Sequence, residues 1–289
     1  MGFGYYIKNL RKSKELTLKE LSQDLMSISF LSKFERNETE ITFSYLLDLL
    51  NRLNIGFDEF INITEYNFAY KELLKELNLA YSNNNIIALK YLYNKELELY
   101  NKNKLRFHYL NSIMIKSIIY NIDQSFGNLD IKEAEAISEF LMGVDYFGDY
   151  EISIFGNSLI CLEYSTTLLI LTEIQKKIDT SYMLADDLRL KLIHVALNIV
   201  TISFEQGKME DMKYVLGITA KLIGKRQLYF EINKLNYLKG IFEYSYGNKE
   251  KGKELLETAI RVMDFLGDQI GKQNHLMYLN AKLDLDLKL

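Results

Sequence analysis

Apolar residues recur three and four positions apart along almost the whole chain, which is the spacing of one face of an α-helix. Short polar stretches and occasional glycines separate these periodic segments. The sequence contains no proline and only 15 glycines in 289 residues, so few residues interrupt helices. The pattern therefore predicts an all-α protein.

Two of the five short helices predicted near the N-terminus have clear starts. One is predicted to begin at Thr17, with Glu20 three residues later, which is the spacing of a capping box. The next follows Ser27 and places Leu31 and Phe34 on its inward face. Two short helices joined by a tight turn form a helix-turn-helix, although the spacing alone also fits any small helical bundle.

A second pattern repeats along the rest of the chain. Gly127, Gly207 and Gly247 are separated by 207 − 127 = 80 and 247 − 207 = 40 residues. The last two glycines are each followed by Glu at the third position, Lys at the sixth and apolar residues at the eighth and ninth. Asn84 and Thr166 occupy two further steps, which makes five predicted turns about forty residues apart. Such repeats predict an α-solenoid whose concave face is lined by the first helix of each pair.

These two patterns divide the chain into two predicted domains. Residues 1–64 form a helix-turn-helix domain, and residues 65–289 form an α-solenoid of tetratricopeptide-like helix pairs. The last helices, within residues 265–289, are the expected dimer contact, because a terminal repeat otherwise exposes an apolar face.

The charge and the cysteine content limit the possible binding partners and the cellular compartment. A net charge of −4 argues against a broad surface that coats polyanions, but residues 1–14 contain four basic side chains and no acidic one. The single Cys161 excludes an internal disulfide and favours a reducing cytoplasm. The most apolar stretch, residues 166–177, is too short to cross a bilayer, so we expect no membrane association.

The sequence shows no arrangement of histidine and cysteine residues that is typical of a catalytic or metal site. His108, His194 and His275 lie far apart, and none has a metal-ligand neighbour at helical spacing. Cys161 lies in an apolar helix-like segment, where a core role is expected rather than a nucleophile. We therefore predict no enzyme activity, no cofactor and no metal site.

The motif residues also carry a family resemblance. The segment LTLKELSQDLMSISFLSKFERNETEI resembles the repressor-type helix-turn-helix, and nearly the whole chain resembles the Rgg (MutR/GadR) family of regulators. The resemblance implies a cytoplasmic homodimer that binds double-stranded promoter DNA. It also implies control by a short signalling peptide in the concave groove, as is frequent in that family.

Three positions depart from the family pattern. Some members carry a cysteine that forms an intersubunit disulfide where this chain has Phe43. The glutamine usual in the reading helix is replaced by Phe30, and an arginine found in some peptide-binding members corresponds to about Ile160. A bound peptide is therefore expected to make different contacts here.

The reading helix is predicted to span residues 27–38. Ser29 and Lys33 face outward to contact base edges or phosphates, and Phe30 packs on a thymine methyl group, unless it packs on a neighbouring helix instead. Phosphate contacts are expected from Arg11, Lys14 and Arg36. The complete set of predicted DNA-binding residues is Arg11, Lys14, Thr17, Ser27, Ser29, Phe30, Lys33 and Arg36.

The predicted peptide contacts lie on first helices of the repeats. Asn157, Asn198 and Asn236 can each pair with both the N–H and the C=O of an extended peptide, and Tyr237 lies beside them. A solvated position or a helix–helix contact is the alternative for each asparagine. An alternative function is also open, in which DNA binding is constitutive and the repeats serve only dimerisation or partner binding.

Overall fold

The computed structural model describes residues 2–64, 66, 68–181 and 185–287, and all regular elements of these residues are helical. The chain divides into two compact units, Met1–Glu76 and Leu77–Leu289. The predicted boundary after residue 64 lies at the end of the fifth helix, whereas this division falls further along the chain, inside the sixth. The all-α prediction is confirmed.

The first unit contains five short helices and the start of a sixth. They are α1 (Phe3–Ser13), α2 (Leu18–Ser22), α3 (Ile28–Glu35), α4 (Phe43–Arg52), α5 (Phe57–Thr64) and α6 (Ala69–Ser82). Their shared core contains Leu31 and Phe34 of the third helix together with Ile7, Leu21, Leu46, Leu49, Leu50, Leu53, Ile55 and Phe60. The helix-turn-helix predicted from Thr17 and Ser27 is present as α2 and α3.

A close approach in this unit depends on one glycine. A Cβ atom at Gly4 would lie only 1.7 Å from the backbone oxygen of Phe34, so α1 could not pack at this distance from α3 with a larger residue. At the polar turns, Asn37 and Asn54 adopt positive φ angles of 56° and 49°. Asparagine tolerates this left-handed backbone better than most residues, which explains why these turns do not require glycine.

The second unit is a row of helix pairs. After α6 come α7 (Ile86–Asn103), α8 (Arg106–Ile122), α9 (Ile131–Gly143), α10 (Asp149–Ser158), α11 (Tyr164–Ser181), α12 (Asp186–Glu205), α13 (Met209–Ile223), α14 (Tyr229–Tyr246), α15 (Lys249–Phe265) and α16 (Gln269–Leu283). Helix α10 contacts α8 and α12, and α12 contacts α14, so the first helices form one layer. This arrangement confirms the predicted α-solenoid.

Four of the five predicted turns fall between helices. Asn84, Gly127 and Gly207 have positive φ angles, and Gly247 joins α14 to α15. Thr166 was misplaced, since it lies in the first turn of α11 and the break occurs earlier, at residues 159–163. The sequence there lacks a glycine, so no local signal marked the turn.

Candidate functional site

The helix-turn-helix is held by two side-chain caps. Thr17 Oγ1 accepts a hydrogen bond from the Glu20 backbone at 3.1 Å, and the Glu20 carboxylate accepts from the Thr17 backbone at 2.7 Å. Ser27 Oγ accepts from the backbone N–H of Phe30 at 3.2 Å. Both capping residues are exposed, and both side chains already satisfy donors of the first helical turns.

Helix α3 has one buried and one open face. Leu31 and Phe34 are buried in the core, whereas Ser29 and Lys33 are exposed, as predicted. Phe30 is half-buried and is not among the described residues that form or pack against the core. The sequence reasoning missed Ile28, which is 47% exposed at the start of the helix and adds an apolar group to the open face.

Arg11 does not face outward, which corrects its prediction as a phosphate contact. It is only 8% exposed, and its Nε and Nη2 atoms donate to the two carboxylate oxygens of Glu35 at 2.6 and 2.8 Å. Its Nη1 donates to the Leu16 carbonyl oxygen at 2.7 Å. The hydrogen bond to Glu35 raises the pKa of Arg11. The ion pair ties α1 to α3, and the four-residue spacing from buried Ile7 was the signal that Arg11 faces inward.

The remaining predicted cations are exposed. Lys14 lies at the end of α1, on the surface. Arg36 donates to Glu38 at 2.6 and 2.7 Å and to Ser32 Oγ at 2.6 Å. The hydrogen bond from Arg36 lowers the pKa of Glu38. A phosphate contact by Arg36 therefore requires it to exchange this carboxylate for a nucleic-acid oxygen.

The layer of first helices in the second unit forms a groove with a main cleft of about 640 Å³. Its walls come from α6, α8, α10, α12 and α14 together with the start of α11 and the turn before it. The surface of the cleft contains both apolar and amide side chains. The lining residues are Tyr81, Ile118, Asn121, Gly156, Asn157, Leu159, Ile160, Leu162, Tyr164, Thr167, Asn198, Thr201, Ile202, Glu205, Gln206 and Lys234.

A smaller cleft of about 210 Å³ adjoins the main one. Thr201 and Lys234 line both, so the two clefts lie side by side. The other residues of the smaller cleft are Tyr237, Leu238, Asn274, His275 and Tyr278. The groove therefore runs along the first helices as far as α16, which is the elongated shape that suits an extended chain.

Two of the three predicted asparagines lie in this groove. Asn157 and Asn198 are exposed in the main cleft, and the Asn157 amide group donates to the Ser153 carbonyl oxygen at 2.9 Å. The structure gives Asn198 no side-chain hydrogen bond among the described residues, so its donor and acceptor groups are open. Asn236 is not among the described residues that line either cleft. It follows Lys234 by two residues, which turns it to the opposite face of α14.

Tyr237 lies at the floor of the smaller cleft. It is 2% exposed, and its hydroxyl donates to the His275 carbonyl oxygen at 3.2 Å. Burial raises the pKa of Tyr237. Its hydroxyl is thus engaged within the protein, and only a packing contact with a ligand remains for this residue.

Sequence reasoning missed the charged groups of the groove. Lys234 Nζ lies 2.9 Å from His275 Nε2, and burial lowers the pKa of both side chains. Glu205 accepts a hydrogen bond from the Tyr278 hydroxyl at 3.3 Å. Lys234 could have been found from its four-residue spacing to Leu238, another lining residue on the same face of α14.

The other two histidines are each paired with a glutamate. His108 Nδ1 lies 2.8 Å from Glu96, and His194 Nε2 lies 2.9 Å from Glu231. Burial raises the pKa of Cys161, which disfavours its reactive thiolate. Among the described residues no group of three potential ligands could hold a metal ion, and no helix is long and apolar enough to cross a membrane.

A small helix-turn-helix unit followed by a helical repeat unit is an architecture that suits a DNA-binding regulator, because the helix-turn-helix places its second helix in the major groove. The family model for the HTH-type transcriptional regulator Rgg, C-terminal domain, matches residues 93–275. A helix-turn-helix model matches residues 7–60. The chain belongs to the Rgg family of transcriptional regulators, which confirms the predicted family and the prediction of a regulator rather than an enzyme.

Solved structures share this fold over nearly the whole chain. One is Rgg2 of Streptococcus dysgalactiae, described as an SHP pheromone receptor, with 24% identity, a TM-score of 0.83 and coverage of 96% of this chain and 99% of that chain. Another is PrgX in complex with cCF10, with 17% identity, a TM-score of 0.74 and coverage of 96% and 98%. A further structure, a bacterial peptide pheromone/receptor complex, has 17% identity, a TM-score of 0.74 and coverage of 99% of both chains.

Proposed function

We propose that this regulator binds promoter DNA through α3 and that a short signalling peptide, held in the groove, controls it. The observation that carries the proposal is the pair of adjoining clefts. Asn157 and Asn198 both line the main one, and Asn198 has no side-chain hydrogen bond among the described residues. Apolar walls with a few polar groups suit an extended peptide, because amides capture its backbone while the walls bury its side chains. Among the structures that share the fold, Rgg2 is described as an SHP pheromone receptor, and another is described as a bacterial peptide pheromone/receptor complex.

The DNA contact is proposed on the open face of α3. Ser29 and Lys33 would contact base edges or phosphates, and Phe30 and Ile28 would pack on thymine methyl groups. Lys14 and Arg36 would contact phosphates, and the capped helix starts at Thr17 and Ser27 would approach the backbone. In this proposal residues 1–64 read DNA, residues 65–289 bind the peptide and dimerise, and the protein acts in the cytoplasm, where promoter DNA is accessible.

A homodimer is part of the proposal, because one helix-turn-helix buries too little surface for tight, specific binding. The last repeat exposes Phe265, Leu266, Ile270 and Met277, and Phe265 is 90% exposed. Such a cluster supports residues 265–289 as a contact between copies. Phe43, 60% exposed in the first unit, offers a further apolar contact.

The test uses the full-length protein and its peptide response. Peptide fractions from culture medium are added to the wild type, and we expect some to raise its melting temperature and to change its affinity for a promoter fragment. Asn198→Ala is expected to weaken this response about threefold to tenfold, because one amide loses its hydrogen bonds, and to leave DNA binding by the free protein unchanged.

Asn101→Ala is the matched control, since Asn101 is exposed on α7 and is not among the lining residues of the groove. If Asn198→Ala unfolds the protein, this asparagine is a structural contact and its assignment to the groove is wrong. If no fraction affects either quantity while DNA binding persists, the constitutive regulator with a repeat unit for dimerisation is the better description.

A further inference from the structure

Among the described residues that line the groove, one acidic and one basic side chain carry a full charge. Glu205 and Lys234 both line the main cleft, and Lys234 also lines the smaller one. The carboxylate of Glu205 accepts a hydrogen bond from Tyr278. Lys234 is half-buried at the point where the two clefts join, so a ligand lying along the groove would pass its ammonium group.

The polar partner of Lys234 is a neutral ring. His275 Nδ1 lies 2.7 Å from the Gly271 carbonyl oxygen, which can only accept a hydrogen bond, so Nδ1 carries the proton. Nε2 of the neutral ring then presents its lone pair to the Lys234 ammonium group at 2.9 Å. Burial and the charge of Lys234 both lower the pKa of His275, which keeps the ring neutral. The histidine therefore orients the ammonium group without neutralising it.

The charge of Lys234 has no counterion within the part of the chain that the structure describes. No described carboxylate lies within 4 Å of its Nζ, and the Tyr237 ring centre lies 5.5 Å away. In the same unit the partly buried Lys116 is paired with Glu133 at 2.6 Å. A cation removed from water is ordinarily paired, and an ammonium group has three donors, of which His275 occupies one.

We propose that Lys234 is the anchor for a carboxylate of the bound peptide, either its C-terminus or an acidic side chain. The carboxylate oxygens would accept the remaining donors of the ammonium group and supply the missing counterion in a partly desolvated site, where such a pair is stronger than in water. The groove would then select anionic peptides over matched neutral ones. This inference rests on the proposed function, since it assigns one contact of the same ligand.

The probe is a synthetic library of octapeptides built from Ala, Val, Leu, Ile, Phe, Ser and Asn. It is made in four matched forms, with a C-terminal carboxylate or amide and with or without Glu at one position. Each form is incubated with immobilised full-length protein, and retained peptides are quantified by mass spectrometry. The four forms separate a C-terminal carboxylate from a side-chain carboxylate as the group that binds.

Wild type is expected to retain at least one carboxylate-bearing form about tenfold or more above the neutral form. Lys234→Met should reduce this ratio to within about twofold, Lys234→Arg should keep most of it, and Lys213→Met, an exposed lysine of α13, should leave it unchanged. Because Lys234→Met removes an uncompensated charge, circular dichroism is expected to show a folded protein of unreduced stability.

Equal retention of neutral and anionic forms, or an undiminished ratio in Lys234→Met, would overturn the carboxylate anchor and leave the peptide groove intact. Retention of no form at all, by wild type or variants, would contradict the peptide-binding proposal itself and the anchor with it. The two failures are therefore distinguishable.

Discussion

Arg11 in the first unit and Lys234 in the second are both cations drawn away from water, but their surroundings differ. Arg11 has a bidentate carboxylate and a carbonyl oxygen, so its charge is paired and three of its N–H donors are engaged within the fold. Lys234 has a neutral imidazole and no described carboxylate. The difference teaches that burial of a charge alone does not indicate function. A paired cation such as Arg11 holds helices together, whereas Lys234, with no described counterion beside the groove, is the cation that we propose to contact a ligand.

The largest expected effect comes from breaking the satisfied pair. Glu35→Gln leaves the Arg11 guanidinium buried without a full counterion, and we expect the first unit to lose about 3–5 kcal/mol of stability. Hydrogen exchange of the full-length protein, followed by mass spectrometry, measures the loss as faster exchange in α1 and α3. Since Arg11→Met combined with Glu35→Leu removes both charges, the double variant should be less damaged than either single one.

Lys14→Met is the control for that experiment, because Lys14 is an exposed cation on the same helix. It should leave exchange unchanged, weaken binding to all DNA sequences alike and reduce the slope of log affinity against log salt by about 1. Unchanged hydrogen exchange in Glu35→Gln would show that the ion pair contributes little to the stability of the first unit. The comparison between Arg11 and Lys234 would then not hold.

Apolar side chains on a single helix show a similar contrast, since some are buried in the core and one is exposed to solvent. Leu256 and Ile260 of α15 are fully buried, whereas Phe265 at its end is almost fully exposed. Phe265→Lys is expected to weaken the dimer by roughly 2 kcal/mol, about thirtyfold, and to leave the fold intact. Sedimentation over a range of concentrations measures this. A wild-type protein that is monomeric at micromolar concentration and still binds promoter DNA specifically would refute the dimer.

Phe30 tests whether a half-buried aromatic side chain belongs to the core or to a binding surface. Phe30→Ala is expected to reduce discrimination at a thymine position by about 1 kcal/mol without lowering the melting temperature. A core residue of this size would instead cost about 3 kcal/mol of stability. Binding to duplexes that differ at one T·A pair, together with thermal unfolding, separates the two roles. Lower stability with unchanged sequence preference would assign Phe30 to the core.

The smallest expected effect concerns the histidine beside Lys234. The folded-state pKa of His275 lies below its ordinary value, so the unfolded chain takes up a proton first as the pH falls. Stability conferred by the neutral ring is therefore lost as the pH drops through about 6.5, the ordinary histidine pKa. We expect His275→Gln to lose less stability than wild type between pH 7 and pH 5 in urea unfolding. Equal losses would show that the ring is not held neutral.

Local patterns in the sequence determined most of the architecture. The caps at Thr17 and Ser27 and the glycines at the repeat turns act within a few residues of the helices that they delimit, so they could be read without the fold. The assignment of Asn157 and Asn198 to first helices of the repeats was equally local, and the structure places both in the main cleft. The family resemblance rested on these local motifs and was confirmed.

Only the tertiary structure decided which charges are satisfied. Arg11 and Glu35 are 24 positions apart, and Lys234 and His275 are 41 apart, so no local pattern pairs them. Asn236 does not line either cleft although Lys234, two residues earlier on α14, lines both, because the orientation of that helix is set by its neighbours. The sequence gives the number of charged residues. Whether a charged side chain is buried, and which group it pairs with, depends on which helices pack together.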